Sequence, residues 1–275
     1  MQYIYDSYTT AGRVKEINQD AIFLMEGETE QGNILFAAIS DGMGGLAKGE
    51  EASAIMLDVL TDWFRNELPC LIYSKQGLTE LTFRRSMKSA VDVACNEIES
   101  YARQYGADCG TTLSGILLYE NKWYAVNVGD SRVYIHDGIE LLQVTKDQTF
   151  VQREIDAGRL TPEEAKRHKM RSILLQCIGA SEVVIPDWYA GELYGEQTIL
   201  LCSDGFRHVV PHAEFEAIFN PSSIIAQSDI YERLSDCADR SMQAGERDNI
   251  SAILIKTIEE VDADAGNRLS NRWEV

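Results

Sequence analysis

The chain has 275 residues, 45% of them apolar, which is long for one domain without being excessive and enough to bury a large core. Against 25 Lys and Arg stand 44 Asp and Glu, a net charge of −19. That balance argues against nucleic acid and anionic membranes as partners, since neither repays like-charge contact, but leaves open a phosphorylated substrate if cations sit in the site. No apolar run approaches the ~20 residues of a membrane span. The opening Met1-Gln2-Tyr3-Ile4-Tyr5-Asp6 reads as neither a signal nor a transit peptide. A soluble, cytoplasmic chain is expected, and its six cysteines, none in a C-x-x-C pair, are expected to be reduced and mostly buried.

Taken in order, residues 1–25 read as two short strands around the polar turn Gly12 to Asp20, with Ala21-Ile22-Phe23-Leu24 resuming an apolar run. Residues 34–40 read as a strand buried on both faces. It ends abruptly in Asp41, followed by Gly42-Met43-Gly44-Gly45. From Glu50, apolar residues at 52, 55, 56, 59, 60, 63 and 64 have the spacing of an amphipathic helix, with Pro69 marking its end. A second helix places 87, 90, 91, 94, 95, 98, 101, 102 and 105 on one face, and Gly106 is its expected C-cap. Thr111 to Tyr119, Trp123 to Val128 and Arg132 to His136 read as a meander with short turns. A charged helical insertion follows. Thr149-x-x-Gln152 and Thr161-x-x-Glu164 are capping-box patterns, the second with Pro162 at N1, and this piece is expected to be an exposed flap at a sheet edge. Strand returns at 198–203, a third long helix spans 228–243, and Ile250 to Thr257 closes as strand. From Glu259 the chain is polar and acidic and reads as a frayed tail. Long helices and antiparallel strands in separate blocks indicate α+β layers.

Asp20, Asp41, Asp130, Asp204 and Asp248 share one setting, at or near a strand end or in a tight turn. Gly, Gly and Asn follow Asp41, Asp204 and Asp248, residues that tolerate unusual backbone angles. An isolated Asp-Gly is most simply a polar turn; the recurrence makes a chemical reading worth pursuing. Carboxylates brought together repel and shift their pKa values upward unless cations neutralise them. An oxygen-only set without histidine suits Mg²⁺ or Mn²⁺ rather than Zn²⁺. Two such ions roughly 3.5–4 Å apart can activate a water and neutralise an in-line phosphoryl displacement. All of this requires a fold that gathers the five.

These residues carry a resemblance. Lys15-x-x-Asn18-Gln19-Asp20, Ser40-Asp41-Gly42-Met43-Gly44-Gly45, Gly110-Thr111-Thr112, Val128-Gly129-Asp130-Ser131-Arg132, Leu160-Thr161-Pro162-Glu163-Glu164-Ala165, Cys202-Ser203-Asp204-Gly205 and Arg247-Asp248-Asn249-Ile250-Ser251 occur in family order. The chain resembles the metal-dependent protein serine/threonine phosphatases of the 2C type, the PPM family, and most of all their compact bacterial members, from about Tyr8 to Thr257. The resemblance implies a four-layer αββα sandwich of two antiparallel sheets flanked by helices. It implies one catalytic domain over 1–258, a flap at about 145–190 and a tail over 259–275. It further implies that Asp20, Asp41, Asp204 and Asp248, with the carbonyl of Gly42, hold two Mn²⁺ or Mg²⁺ ions, mostly through bound waters. Asp130 matches the aspartate that helps hold a third ion. Water bridging the first two ions would attack phosphorus directly, with no phosphoenzyme. Phosphorylated proteins are the implied substrates, a serine/threonine kinase among the expected partners, and a monomer the expected state.

Two departures stand out. Lys15 replaces the arginine that grips substrate phosphate in the family, keeping the charge but losing the planar fork. Arg13 would lie on the same face if this segment is extended. Met43 stands where members outside the bacterial group often carry a proton-donating histidine, so a metal-bound water would have to take that role. Asp147-Gln148 also occupies a place where histidine is common. A cysteine-dependent phosphatase is a poor rival, because Cys202 and Arg207 lack the C-x5-R spacing. A zinc site at His208 and His212 is interrupted by Pro211, and two surface histidines at a helix start are expected instead. A non-catalytic domain with a degenerate phosphatase fold predicts lost aspartates, whereas all five are present.

Overall fold

The computed structural model describes residues 1–44 and 48–258; Gly45 of the first glycine-rich motif and the expected acidic tail lie outside the described residues. Two antiparallel sheets stack face to face. The first runs in the order β1 (Gln2–Thr10), β11 (Ile250–Ile258), β10 (Thr198–Cys202), β7 (Arg132–His136), β8 (Leu141–Gln143). The second runs β2 (Asp20–Thr29), β3 (Gly32–Gly44), β5 (Leu113–Tyr119), β6 (Lys122–Val128), β9 (Asp187–Glu192), and β4 (Cys109–Thr111) pairs with the end of β3.

The two-residue period of a strand builds the layers. On β3, Leu35, Ala37 and Ile39 point into the inter-sheet core, where they meet Ile116, Leu118, Leu201 and Ile253. Ile34, Phe36 and Ala38 point the other way, against α1 (Gly49–Asp62), α2 (Leu68–Ile72) and α3 (Glu80–Tyr105). On the far side, Leu200, Cys202, Ala252 and Leu254 pack with α6 (Asp204–Arg207), α7 (His212–Ile218) and α8 (Gln227–Gln243). The expected αββα sandwich is therefore present. Gly106 ends α3 with a left-handed φ of 61°, as its position predicts. The flap carries α4 (Phe150–Asp156) and α5 (Pro162–Lys166), each capped by its threonine. The cysteines are all free, four buried, Cys95 half-buried and Cys70 exposed.

Three expectations need correction. Pro69 does not end a helix. A wider turn at Trp63–Glu67, in which Leu68 N–H reaches back to Trp63 O, lets Pro69 enter the first turn of α2, where its missing N–H costs nothing. The three central strands are not one meander: β5 and β6 pair, but β7 pairs with β10 in the other sheet. The crossing takes place at Gly129-Asp130-Ser131, where Gly129 has a φ of 105°. Residues 11–19 form turns and bends rather than an extended strand, so the alternation that would put Arg13 beside Lys15 does not apply.

Candidate active site

The carboxylates gather where the two sheets meet at one end. Asp20 opens β2 and lies directly opposite Asp41 on β3 in the antiparallel register. Asp204 is the first residue of α6, immediately after β10, and Asp248 lies just before β11, the strand beside β10. One sheet thus contributes Asp20 and Asp41, and the other contributes Asp204 and Asp248.

The residues between the aspartates hold them there. Thr112 fixes the backbone of Asp41 from both sides: Asp41 N–H donates to Thr112 Oγ1 at 2.9 Å, and Thr112 N–H donates to Asp41 O at 2.9 Å. Asn249, only 3% exposed, fastens the 11–19 loop to the start of β11. It accepts from Gln19 N–H at 3.0 Å and donates to Ile17 O at 3.0 Å and Ala11 O at 3.2 Å. The glycines act by close approach and not through unusual backbone angles, since neither Gly42 nor Gly205 has positive φ. A Cβ on Gly42 would lie 2.1 Å from Gly49 O and 2.6 Å from Gln19 O, and one on Gly205 would lie 2.2 Å from Asn249 O.

Burial pushes the Asp20 carboxyl up to about 6, and Asp204 and Asp248 add to the shift. Ser203 and Ser251 moderate it, but their hydroxyls are engaged elsewhere: Ser251 Oγ pairs with Thr9 Oγ1 at 2.8 Å, and Ser203 Oγ donates to Ser251 O at 3.4 Å. Both Asp20 oxygens and Asp204 Oδ1 are consequently buried without a hydrogen-bond partner. Burial, reinforced by the charges of Asp20, Asp204 and Asp130, holds Asp41 well above the usual range, and burial also raises Asp204. Lys15 pairs with Asp248 at 3.1 Å, both side chains being about half exposed, and Arg207 approaches Asp130 at 3.8 Å. Among the described residues no cationic side chain pairs with Asp20 or Asp41. The buried Asp20 carboxylate, with both oxygens orphaned and no counter-charge, fits a hard divalent cation, and the all-oxygen donor set fits Mg²⁺ or Mn²⁺. Among the described residues no three acidic, histidine or cysteine side chains form a ready cage.

Asp130 sits on the crossing turn, and burial with the charge of Asp204 pushes it up to about 7. Two residues with no evident role in the sequence hold this turn. Gln148 accepts from Gly129 N–H at 2.9 Å through Oε1 and donates through Nε2 to Asp187 at 2.9 Å. Arg207 donates to Asp130 O at 2.8 Å and reaches Asp147 at 3.4 Å, while Asp147 is gripped by two 2.7 Å hydrogen bonds from Arg132. Asp147-Gln148 is therefore a structural clamp beneath Asp130.

His208 is the other residue the sequence did not single out correctly. It is an exposed histidine, as expected, but not an idle one: Nε2 lies 3.6 Å from Asp204 Oδ2 and Nδ1 lies 3.4 Å from Glu246 Oε2. Burial alone would lower its pKa, but the bond to Glu246 and the charge of Asp204 bring it above the ordinary value. An i, i+4 spacing from Asp204 was the available signal. His212, also exposed, stands at the start of α7 with its ring 6.0 Å from that of Tyr134. Cys202 is fully buried in β10 and its thiol is pushed up to about 12, first by burial, which removes it as a nucleophile.

Comparison with known proteins identifies the family. The protein phosphatase 2C family model matches residues 9–239. The serine/threonine phosphatase stp of Listeria innocua is 28% identical over 251 residues, 90% of this chain and 93% of that one. The crystal structure of the Mycobacterium tuberculosis serine/threonine phosphatase PstP/Ppp superposes with a TM-score of 0.75 at 30% identity, covering 94% of this chain and 99% of that one. A structure of the PstP catalytic domain in complex with two manganese ions superposes with a TM-score of 0.73 at 28% identity, covering 94% and 99%. This chain belongs to the protein phosphatase 2C family.

Proposed function

We propose that the chain removes phosphate from phosphoserine and phosphothreonine in proteins, in a reaction that depends on Mn²⁺ or Mg²⁺ and opposes a serine/threonine protein kinase. The observation that carries this reading is the pair of orphaned buried oxygens on Asp20 beside Asp41, neither carboxylate having a cationic side chain paired with it among the described residues, with a further orphaned oxygen on Asp204. Asp20, Asp41, Asp204 and Asp248, with the carbonyl of Gly42, would hold two cations, and Asp130 would help hold a third. Such cations supply an activated water for direct attack on phosphorus and neutralise the charge that develops there.

The chain's own groups do the rest. Asn249 and Thr112 fix the backbones from which the carboxylates project, so little reorganises as charge develops. Lys15 lies on Asp248 at 3.1 Å, where its ammonium can meet a phosphoryl oxygen at the mouth of the cluster. Arg207 and Gln148 hold the Asp130 turn in place. His208 stands between Asp204 and Glu246, 3.6 Å and 3.4 Å from their oxygens, where its protonated ring would offset both charges.

The test is release of inorganic phosphate from a phosphothreonine peptide with Mn²⁺. Asp204→Asn should reduce it by about 100-fold or more, consistent with loss of a group central to electrostatic stabilisation. Wild-type activity in excess EDTA would refute the metal-dependent mechanism.

A further inference from the structure

A cavity of about 1070 Å³ lies between the flap and the ends of β7 and α6, and Asp130 and His208 line it on the side of the carboxylate cluster. Its charge runs against that of the molecule. Arg132, Lys166, Arg171, Arg207 and Arg247 line it, against Asp130, Asp147 and Glu246, a ratio of five to three. The whole chain carries 25 basic residues to 44 acidic.

The three acids are already engaged. Asp147 is held by Arg132 and Arg207, Asp130 approaches Arg207 at 3.8 Å, and Glu246 is paired with His208. Two of the basic groups are not. Among the described residues, neither Arg171 on the flap nor Arg247 beside Asp248 has an ion-pair partner, and both are exposed. The deeper Arg207 side chain is only 10% exposed, and its Nε has no hydrogen-bond partner. Two guanidinium groups without an ion-pair partner among the described residues, one from the flap and one from the loop before β11, with a third that has a spare donor, leave net positive charge lining this cavity.

We infer that this cavity receives an anionic side chain of the substrate, a carboxylate or a second phosphate, next to the phosphoserine or phosphothreonine being hydrolysed, and that Arg171 and Arg247 recognise it. Arginine suits both anions through its planar fork. The inference rests on the phosphatase reading above and adds a substrate class to it.

Three phosphothreonine peptides test it: one with uncharged flanks, one with glutamates on both sides, and one with a non-hydrolysable phosphonate mimic of a second phosphothreonine. The full chain with Mn²⁺ should show kcat/KM roughly 5–20-fold higher for the anionic peptides, carried by KM, with the ratio shrinking as salt rises. In Arg171→Ala/Arg247→Ala the ratio should collapse towards one, and in Arg171→Lys/Arg247→Lys much of it should survive. A preference for the phosphonate alone assigns the site to phosphate; equal preference for glutamate assigns it to carboxylates as well. Equal rates on all three peptides overturn the inference, as does a preference that the alanine pair leaves intact. Failure to hydrolyse any of the three peptides would overturn the phosphatase reading itself, so the two failures are distinguishable.

Discussion

Asp20 is held in a setting unfavourable to its charge. Its raised value of about 6 means that the folded chain binds more protons than the unfolded one between roughly pH 4 and 6. Asp130, at about 7, extends that window, and His208, also raised, acts with the same sign. Stability contributed by such groups is present at low pH and is lost as pH rises through the folded-state values. Asp147 and Glu246, both lowered, contribute stability that is fully present above about pH 5 and is lost as pH falls through their folded-state values, so they do not change between pH 5.5 and 7.5. The metal-free protein should therefore unfold at a lower temperature at pH 7.5 than at pH 5.5. Scanning calorimetry in EDTA checks this, and a flat or rising midpoint would mean the carboxylates are already compensated. By the same reasoning Asp20→Asn should abolish phosphatase activity while raising the metal-free melting temperature at pH 7.5, because it removes a buried charge worth on the order of 2–3 kcal/mol. At Lys15, the change to Arg restores the two-point fork and should lower KM for a phosphothreonine peptide by about two- to fivefold. An unchanged or raised KM would place the phosphate grip elsewhere.

At the scale of elements, the site depends on backbones that touch. Gly42 on β3 and Gly49 at the start of α1 approach so closely that a methyl on Gly42 would overlap Gly49 O at 2.1 Å. Gly42→Ala should cost about 2 kcal/mol or more and weaken Mn²⁺ activation together with stability, measurable as a lower melting temperature and a higher Mn²⁺ requirement. Gln148→Ala loosens the turn bearing Asp130 without touching the β2–β3 pair. It should raise the Mn²⁺ concentration for half-maximal activity several-fold while moving the melting temperature by only a few degrees. These elements also divide what the sequence could reveal from what it could not. Period and end signals made β3, α3 and α8 readable, because their faces are set locally by the core. The path of β7 into the second sheet and the entry of Pro69 into α2 are tertiary outcomes with no local signature. The aspartates were legible because strand ends followed by Gly or Asn recur. Gln148, Arg207 and His208 were not, because each acts through partners supplied by the fold: a crossing turn, an aspartate cluster and a loop near the end of the chain.

At the scale of the molecule, the inter-sheet core sets the distance between the two halves of the site. Leu118 and Ile253 are fully buried there, one from each sheet. Ile253→Ala should destabilise by about 2–5 kcal/mol, and circular dichroism and tryptophan fluorescence should report one shared transition. The excess of negative charge is concentrated outside the flap cavity, so the surface repels bulk polyanions while the cavity beside the carboxylates attracts them locally. The central claim is that these carboxylates are divalent-cation ligands serving phosphoryl hydrolysis. Its most direct test is an Mn²⁺ titration of the chelated protein, following phosphate release from phosphothreonine and phosphotyrosine peptides in parallel with Asp204→Asn. Saturable activation on phosphothreonine, little on phosphotyrosine and none in Asp204→Asn is the predicted result; hydrolysis that persists in excess EDTA, or that Asp204→Asn retains, would contradict it.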